Sequence, residues 1–177
     1  MADAQYPAVG ATTLAELSGL GRLSLRGGPE ALAAAGEAFG VPLPREACRA
    51  AEGDARAALW LGPDEQLLLV QHSDWNATLA ALASRLKALP HSLVDISQRQ
   101  IALQVGGAHA AELLSSACPL DLHLDAFPIG MCTRTLLAKA PIVLWRTSAD
   151  AFHLEVWRTF APYVRQLLQE AGRQYES

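Results

Sequence analysis

From residue 14 onward the hydrophobic positions change period several times, and each change marks an element. Leu14–Leu17 is a short apolar run, and Ser18–Gly21 a turn. Arg22–Arg26 alternates, with Leu23 and Leu25 on one face of a strand. Gly27 and Gly28 follow, then Pro29 at the first position of a helix that runs to about Phe39 and stops at Gly40. Val41–Pro44 reads as a connector and Ala47–Ala51 as a strand. Arg56–Leu61 and Gln66–Gln71 form a hairpin around Gly62-Pro63-Asp64-Glu65. Asp74 stands where it would cap a helix whose Trp75, Leu79, Leu82 and Leu86 share one face, and Pro90 ends that helix.

The plan then repeats. Val94–Ser97 corresponds to Leu14–Leu17, and Ile101–Val105 to the first long strand. A slide of about 80 residues puts Leu23 on Leu103, Leu25 on Val105 and Gly27 on Gly107, and the helix after Gly107 ends at Cys118-Pro119. Beyond that, a slide of about 85 puts Arg49 on Arg134, Leu59-Trp60 on Leu144-Trp145, Asp74 on Thr159 (a second cap), Trp75 on Phe160, Leu79 on Val164 and Leu82 on Leu167. The loop Asp121–Gly130 absorbs the difference. The pattern predicts an α+β fold, an internal duplication of two units of two strands, a helix, three strands and a helix. The half-repeats span about 12–89 and 92–173 of a single pseudo-twofold domain covering 1–177. One half would leave a sheet face bare, and two halves can cover each other.

Composition narrows the function classes. The chain has 177 residues, enough to bury roughly 70% of its unfolded surface without a staple. It is 51% hydrophobic and only 18% charged, which points to a face made for another protein. Net charge is −4, with no basic stripe, so nucleic acid is not an expected partner. Met1–Leu17 shows neither a basic n-region nor an apolar core, and no segment is long enough for a membrane span, so no signal peptide and no membrane partner are expected. Cys48, Cys118 and Cys132 lack paired spacing and read as reduced thiols of a cytoplasmic protein.

Candidate chemistry is sparse. Gly106-Gly107 lies between a strand and a helix, but GGAHAA departs from GxGxxG and carries no phosphate-loop lysine. Gly27-Gly28 occupies the same slot, so both pairs are expected to turn a corner, where glycine accepts positive φ. Asp121, His123 and Asp125 would share one face of a strand and offer metal-ligand types, against the expectation of a solvated loop. His153 would face outward if Phe152 and Leu154 face in. Cys132 is expected as a buried thiol rather than a nucleophile, Arg49 and Arg134 as partners of local carboxylates, and Trp60 and Trp145 as core or interface anchors. The site assignment is therefore none: no catalytic, cofactor-binding or metal residue on this chain. A partner-binding patch is expected on the loop through Leu122, Leu124, Phe127, Pro128 and Ile129.

Several stretches together resemble a known family. LRGGPEAL, LGPDEQLLL, VDISQRQIALQVGGAHAAELLSSACPLDL and FPIGMCTRTLLAKAPIVLWR look like the gamma subunit of heterotetrameric sarcosine oxidase, over roughly Leu14 to Ala171. That subunit is similar to the folate-binding domain of the glycine-cleavage T-protein. The resemblance implies a duplication of β2-α-β3-α units whose first strands are exchanged. It implies a non-catalytic, structural gamma subunit, with alpha, beta and delta subunits as partners. The complex demethylates sarcosine to glycine with tetrahydrofolate as one-carbon acceptor and forms hydrogen peroxide; FAD, FMN, NAD and tetrahydrofolate belong to the other subunits. In the T-protein a turn after the matching hairpin strand leads to an aspartate that contacts folate. Here Leu137–Val143 reads LAKAPIV, without an acid, and the KGCYxGQ signature of related repair proteins is missing around Cys132. The alternatives are a stand-alone folate-binding protein and an aminomethyltransferase-like or tRNA-modifying enzyme of the same fold.

Overall fold

The structure, a computed structural model, describes residues 4–5 and 12–173. Most of the N-terminal stretch read for a targeting signal therefore lies outside the described residues. In chain order the elements are β1 (Ala4–Gln5), β2 (Thr12–Leu17), β3 (Leu20–Gly27), α1 (Pro29–Phe39), β4 (Ala50–Gly53), β5 (Arg56–Gly62), β6 (Glu65–Gln71) and α2 (Trp75–Leu86). They continue with β7 (His91–Asp95), β8 (Gln100–Gly107), α3 (Ala110–Ser115), β9 (Cys132–Leu137), β10 (Ala140–Ser148), β11 (Ala151–Trp157) and α4 (Ala161–Gly172). No helix among the described residues is long and apolar enough to cross a membrane.

The chain forms two compact units, one of Gly19–Ser97 and the other of the residues before and after it. In Gly19–Ser97 the sheet runs β4-β5-β6-β3-β7, antiparallel throughout. Its core joins Leu23, Leu25, Ala58, Leu68 and Val70 of the sheet to Phe39 of α1 and Leu82 and Leu86 of α2. The face α1 turns to the sheet is built from Ala31, Ala34 and Ala35, so little side-chain bulk separates helix from strand. Gly40 ends the helix at φ 77°, its N–H donating to Gly36 O at 3.0 Å, a conformation glycine adopts freely.

In the other unit the sheet runs β1-β2-β8-β11-β10-β9. Its core joins Leu103, Val105, Leu144, Phe152, Leu154 and Val156 to Leu113 and Leu114 of α3 and Val164 and Leu168 of α4. Helical bonding continues past α3, with the Cys118 N–H donating to Leu114 O, which agrees with the predicted end at Cys118-Pro119. β2 pairs with β8, and β7 with β3. The fold is thus mixed α+β with two antiparallel sheets.

Three expectations need correction. The strand expected over Ala47–Ala51 begins at Ala50, because Cys48 turns the chain at φ 60°. Neither Asp74 nor Thr159 caps a helix: a 3₁₀ turn leads into α2, and the residues at the cap positions, Asp74 and Phe160, already have helical backbone, whereas a side-chain cap needs an extended one. Asp74 instead accepts a bond from Arg56 Nη2 at 3.4 Å. The third concerns register. Gly62↔Glu65 and Ser148↔Ala151 close the two hairpins, each beside a bulge, and these closing pairs lie 86 residues apart (62 to 148, 65 to 151) rather than 85. In a strand a slip of one reverses the face of every side chain. By hairpin register Trp60 thus stands where Arg146 does, not Trp145, and Leu59 where Trp145 does. The helices follow the same offset: Thr78 and Leu82 match Val164 and Leu168, and all four are buried.

Candidate functional site

The loop Asp121–Gly130 folds inward around one cation. Arg146 on β10 is buried, and its Nη1 donates to Leu122 O at 3.2 Å and to Phe127 O at 2.7 Å. Its guanidinium carbon stands 4.6 Å over the Phe152 ring, whose neighbour Phe127 lies 6.4 Å away, centroid to centroid. Burial lowers the guanidinium pKa from its usual value, and the charge of Asp150 draws it back up. Leu122 and Phe127 are 2% and 1% exposed, so the expected patch contracts to Leu124 and Ile129. The Asp121, His123, Asp125 trio lies in this loop and not on a strand. Asp121 Oδ1 accepts the His123 N–H at 2.9 Å, and His123 Nδ1 lies 3.5 Å from Asp125 Oδ2. Among the described residues no group of three or more His, Cys, Asp or Glu is placed to hold a metal.

On the opposite face of the same sheet, His153 and Glu155 make a buried pair, Nε2 to Oε1 at 2.8 Å. The expectation that His153 faces outward fails because β11 is buried on both faces. Trp145 is its cross-strand neighbour, ring centroids 5.6 Å apart, and the buried indole N–H finds no partner among the described residues. Cys132 pairs with Trp145 across β9 and β10 and is fully buried, as a strand thiol was expected to be. Sequence reasoning missed Glu155. The signal was present as His-x-Glu, two polar groups on one face of a strand, where burial makes each need the other.

The glycine corners differ from one another. Gly107 has φ 110°, as expected, and its N–H donates to Asp150 O at 2.9 Å. Gly27 N–H likewise donates to Asp64 O at 3.0 Å, but Gly27 has no positive φ. Its requirement is space, since a Cβ there would lie 2.8 Å from Ala31 Cβ. Arg49 pairs with Glu46 at 3.1 Å, as expected, and Arg134 is exposed on β9. The β9–β10 turn is made by Ala138 at φ 50° and by exposed Lys139, and the Ala138 N–H donates to Ala117 O at 2.7 Å. Trp60 lies elsewhere, on the wall of a cleft of about 650 Å³ formed by α1, the connector after it and the β5–β6 turn.

Comparison with known proteins supplies the family. Residues 26–174 match the model of the sarcosine oxidase, gamma subunit family. A sarcosine oxidase subunit gamma from Corynebacterium sp. (strain P-1) is 32% identical over 180 residues, covering 99% of this chain and 87% of that protein. The chain belongs to the sarcosine oxidase gamma-subunit family. A chain of a solved heterotetrameric sarcosine oxidase from Corynebacterium sp. U-96 in complex with pyrrole 2-carboxylate matches at a TM-score of 0.89 and 33% identity, over 98% of this chain and 89% of that one. The family fold also resembles the glycine cleavage system aminomethyltransferase T from Bartonella henselae. There the TM-score is 0.67 and identity 16%, over 89% of this chain and 45% of that one, a likeness of fold alone.

Proposed function

We propose that this chain is the structural gamma subunit of a heterotetrameric sarcosine oxidase, in the cytoplasm, assembled with alpha, beta and delta subunits. Those companions hold FAD, FMN, NAD and the tetrahydrofolate site and carry out the demethylation of sarcosine to glycine. The observation that carries this reading is the match along 98% of the chain to a chain of such an oxidase, at 33% identity. The buried character of Cys132, His153 and Glu155 is consistent with it, since none can meet a substrate in this arrangement. The fold reading goes further: an internal duplication, with half-repeats of about 12–89 and 92–173 in one pseudo-twofold domain. The matched strand exchange and the constant offset of 86 across hairpin and helix support it.

Co-expression with the three companion subunits is the direct test. The chain is expected to co-purify with them in equal amount, and the assembly, not the isolated chain, to carry flavin absorbance and oxidise sarcosine. Stoichiometric flavin on the isolated chain, or turnover by it, overturns the reading. Calorimetry with tetrahydrofolate addresses the folate-binding alternative, which a micromolar constant, about −8 kcal/mol, would favour.

A further inference from the structure

The cleft beside Trp60 is a feature that neither the core nor the sheets account for. One wall is α1, which contributes Leu32, Ala33 and Gly36. The other is the connector with Pro42 and Pro44, closed by Trp60 and Pro63. Prolines fix φ, so this wall is rigid before anything binds and loses little freedom on binding. Its volume, about 650 Å³, suits a few side chains.

Polar groups around it narrow the occupant. Proline has no N–H, so this wall is poor in donors. Gln66, buried behind the connector, donates from Nε2 to Pro44 O at 3.0 Å and so helps to hold that wall in place. Charge adds a sign. Glu37 at the rim is already engaged by Arg85 at 2.6 Å. Arg45, also lining the cleft and exposed, makes no hydrogen bond or ion pair with the described residues. The cleft therefore complements an anion and not a cation.

We propose that this cleft receives an extended apolar segment of a companion subunit, with a carboxylate of that segment pairing to Arg45. The proposal rests on the gamma-subunit reading, which supplies the companion chains. Apolar anchors in a preformed pocket carry most of an interface's energy, and the rim charge sets orientation and rate.

The test uses the co-expressed complex. Ala33→Trp fills the cleft, and Arg45→Glu reverses the charge at an exposed position with no bond to lose. Thermal melts of each variant alone check its folding. Both variants are expected to reduce co-purified companion subunits about tenfold, the equivalent of about 1.4 kcal/mol, with Arg45→Glu melting as wild type does. A photo-crosslinking residue in place of Leu32 is expected to join the chain to a companion segment that carries Asp or Glu. Wild-type assembly by folded Arg45→Glu and Ala33→Trp overturns the proposal and leaves the gamma-subunit reading standing. Cross-linking only to a second copy of this chain also overturns it. Failure of the wild-type chain to assemble removes the gamma-subunit reading and the proposal with it.

Discussion

At Gly107 and Gly28 the same residue type meets opposite demands. Gly107 holds φ 110°, where a side chain is strained, and Gly28 holds φ −70° with open space around its Cα. Gly107→Ala is expected to cost about 1–3 kcal/mol and Gly28→Ala under about 1 kcal/mol, read from urea denaturation midpoints. Phe127 and Arg146 form the other residue-scale unit. Phe127→Ala removes a ring that is 1% exposed and is expected to cost about 3–5 kcal/mol. Arg146→Met leaves two loop carbonyls without their donor, each worth about 1–3 kcal/mol. Both variants are expected to lower the melting temperature by several degrees while leaving the exposed Leu124 and Ile129 unchanged in sequence. A loop that acted only as an exposed interface would tolerate either change.

At the level of elements, the offset of 86 makes a sharp distinction that 85 would not. Leu82 on α2 and Leu168 on α4, 86 residues apart, are both buried, whereas Leu79 and Leu167 are half-buried at the margins of their helices. Leu82→Ala and Leu168→Ala are each expected to cost about 2–5 kcal/mol, and Leu79→Ala and Leu167→Ala clearly less, by denaturant unfolding of the four variants. Equal losses at Leu167 and Leu168 would contradict the helix orientation. The helical period was plain in the sequence, since Leu79, Leu82 and Leu86 recur every three or four residues. It could not separate the centre of the apolar stripe from its edge, because 3.6 residues per turn places both on nearly the same side. Asp74 shows a similar limit. A cap depends on the backbone angle at the cap residue, and the 3₁₀ turn that sets that angle leaves no mark in residue type.

For the whole molecule, the pairing of β2 with β8 ties an early strand to the second half of the sequence. β2 covers the edge of β8, from Thr12↔Gly107 to Leu17↔Ala102, and Glu16 meets Arg165 of α4 at 3.0 Å. Removing residues 1–18 uncovers β8 and leaves an unpaired apolar edge, a template for association. Amides of Gln100–Gly107 that donate to β2 are expected to exchange with solvent faster in that deletion, while those of β6, paired on both sides within Gly19–Ser97, keep their protection. Hydrogen exchange followed by mass spectrometry separates the two segments.

Strands, helices and the glycine corners were readable from the sequence because each rests on periodicity or backbone freedom within a few residues. The order of the elements and the family resemblance were readable for the same reason: both are linear patterns. Only the tertiary structure decided which first strand joins which sheet, since that pairing links residues as much as 95 apart (Thr12 with Gly107). It also decided the hairpin register, because the cross-strand pairs that close each hairpin, Gly62↔Glu65 and Ser148↔Ala151, are fixed by backbone bonding and not by the hydrophobic residues that matching had aligned. The fate of His153, Glu155 and Phe127 followed from burial, and burial depends on what covers a face, not on the residues that compose it. The cleft was hidden for that reason too: Pro29, Pro44 and Trp60 come from three separate segments, and only folding gives them a common surface.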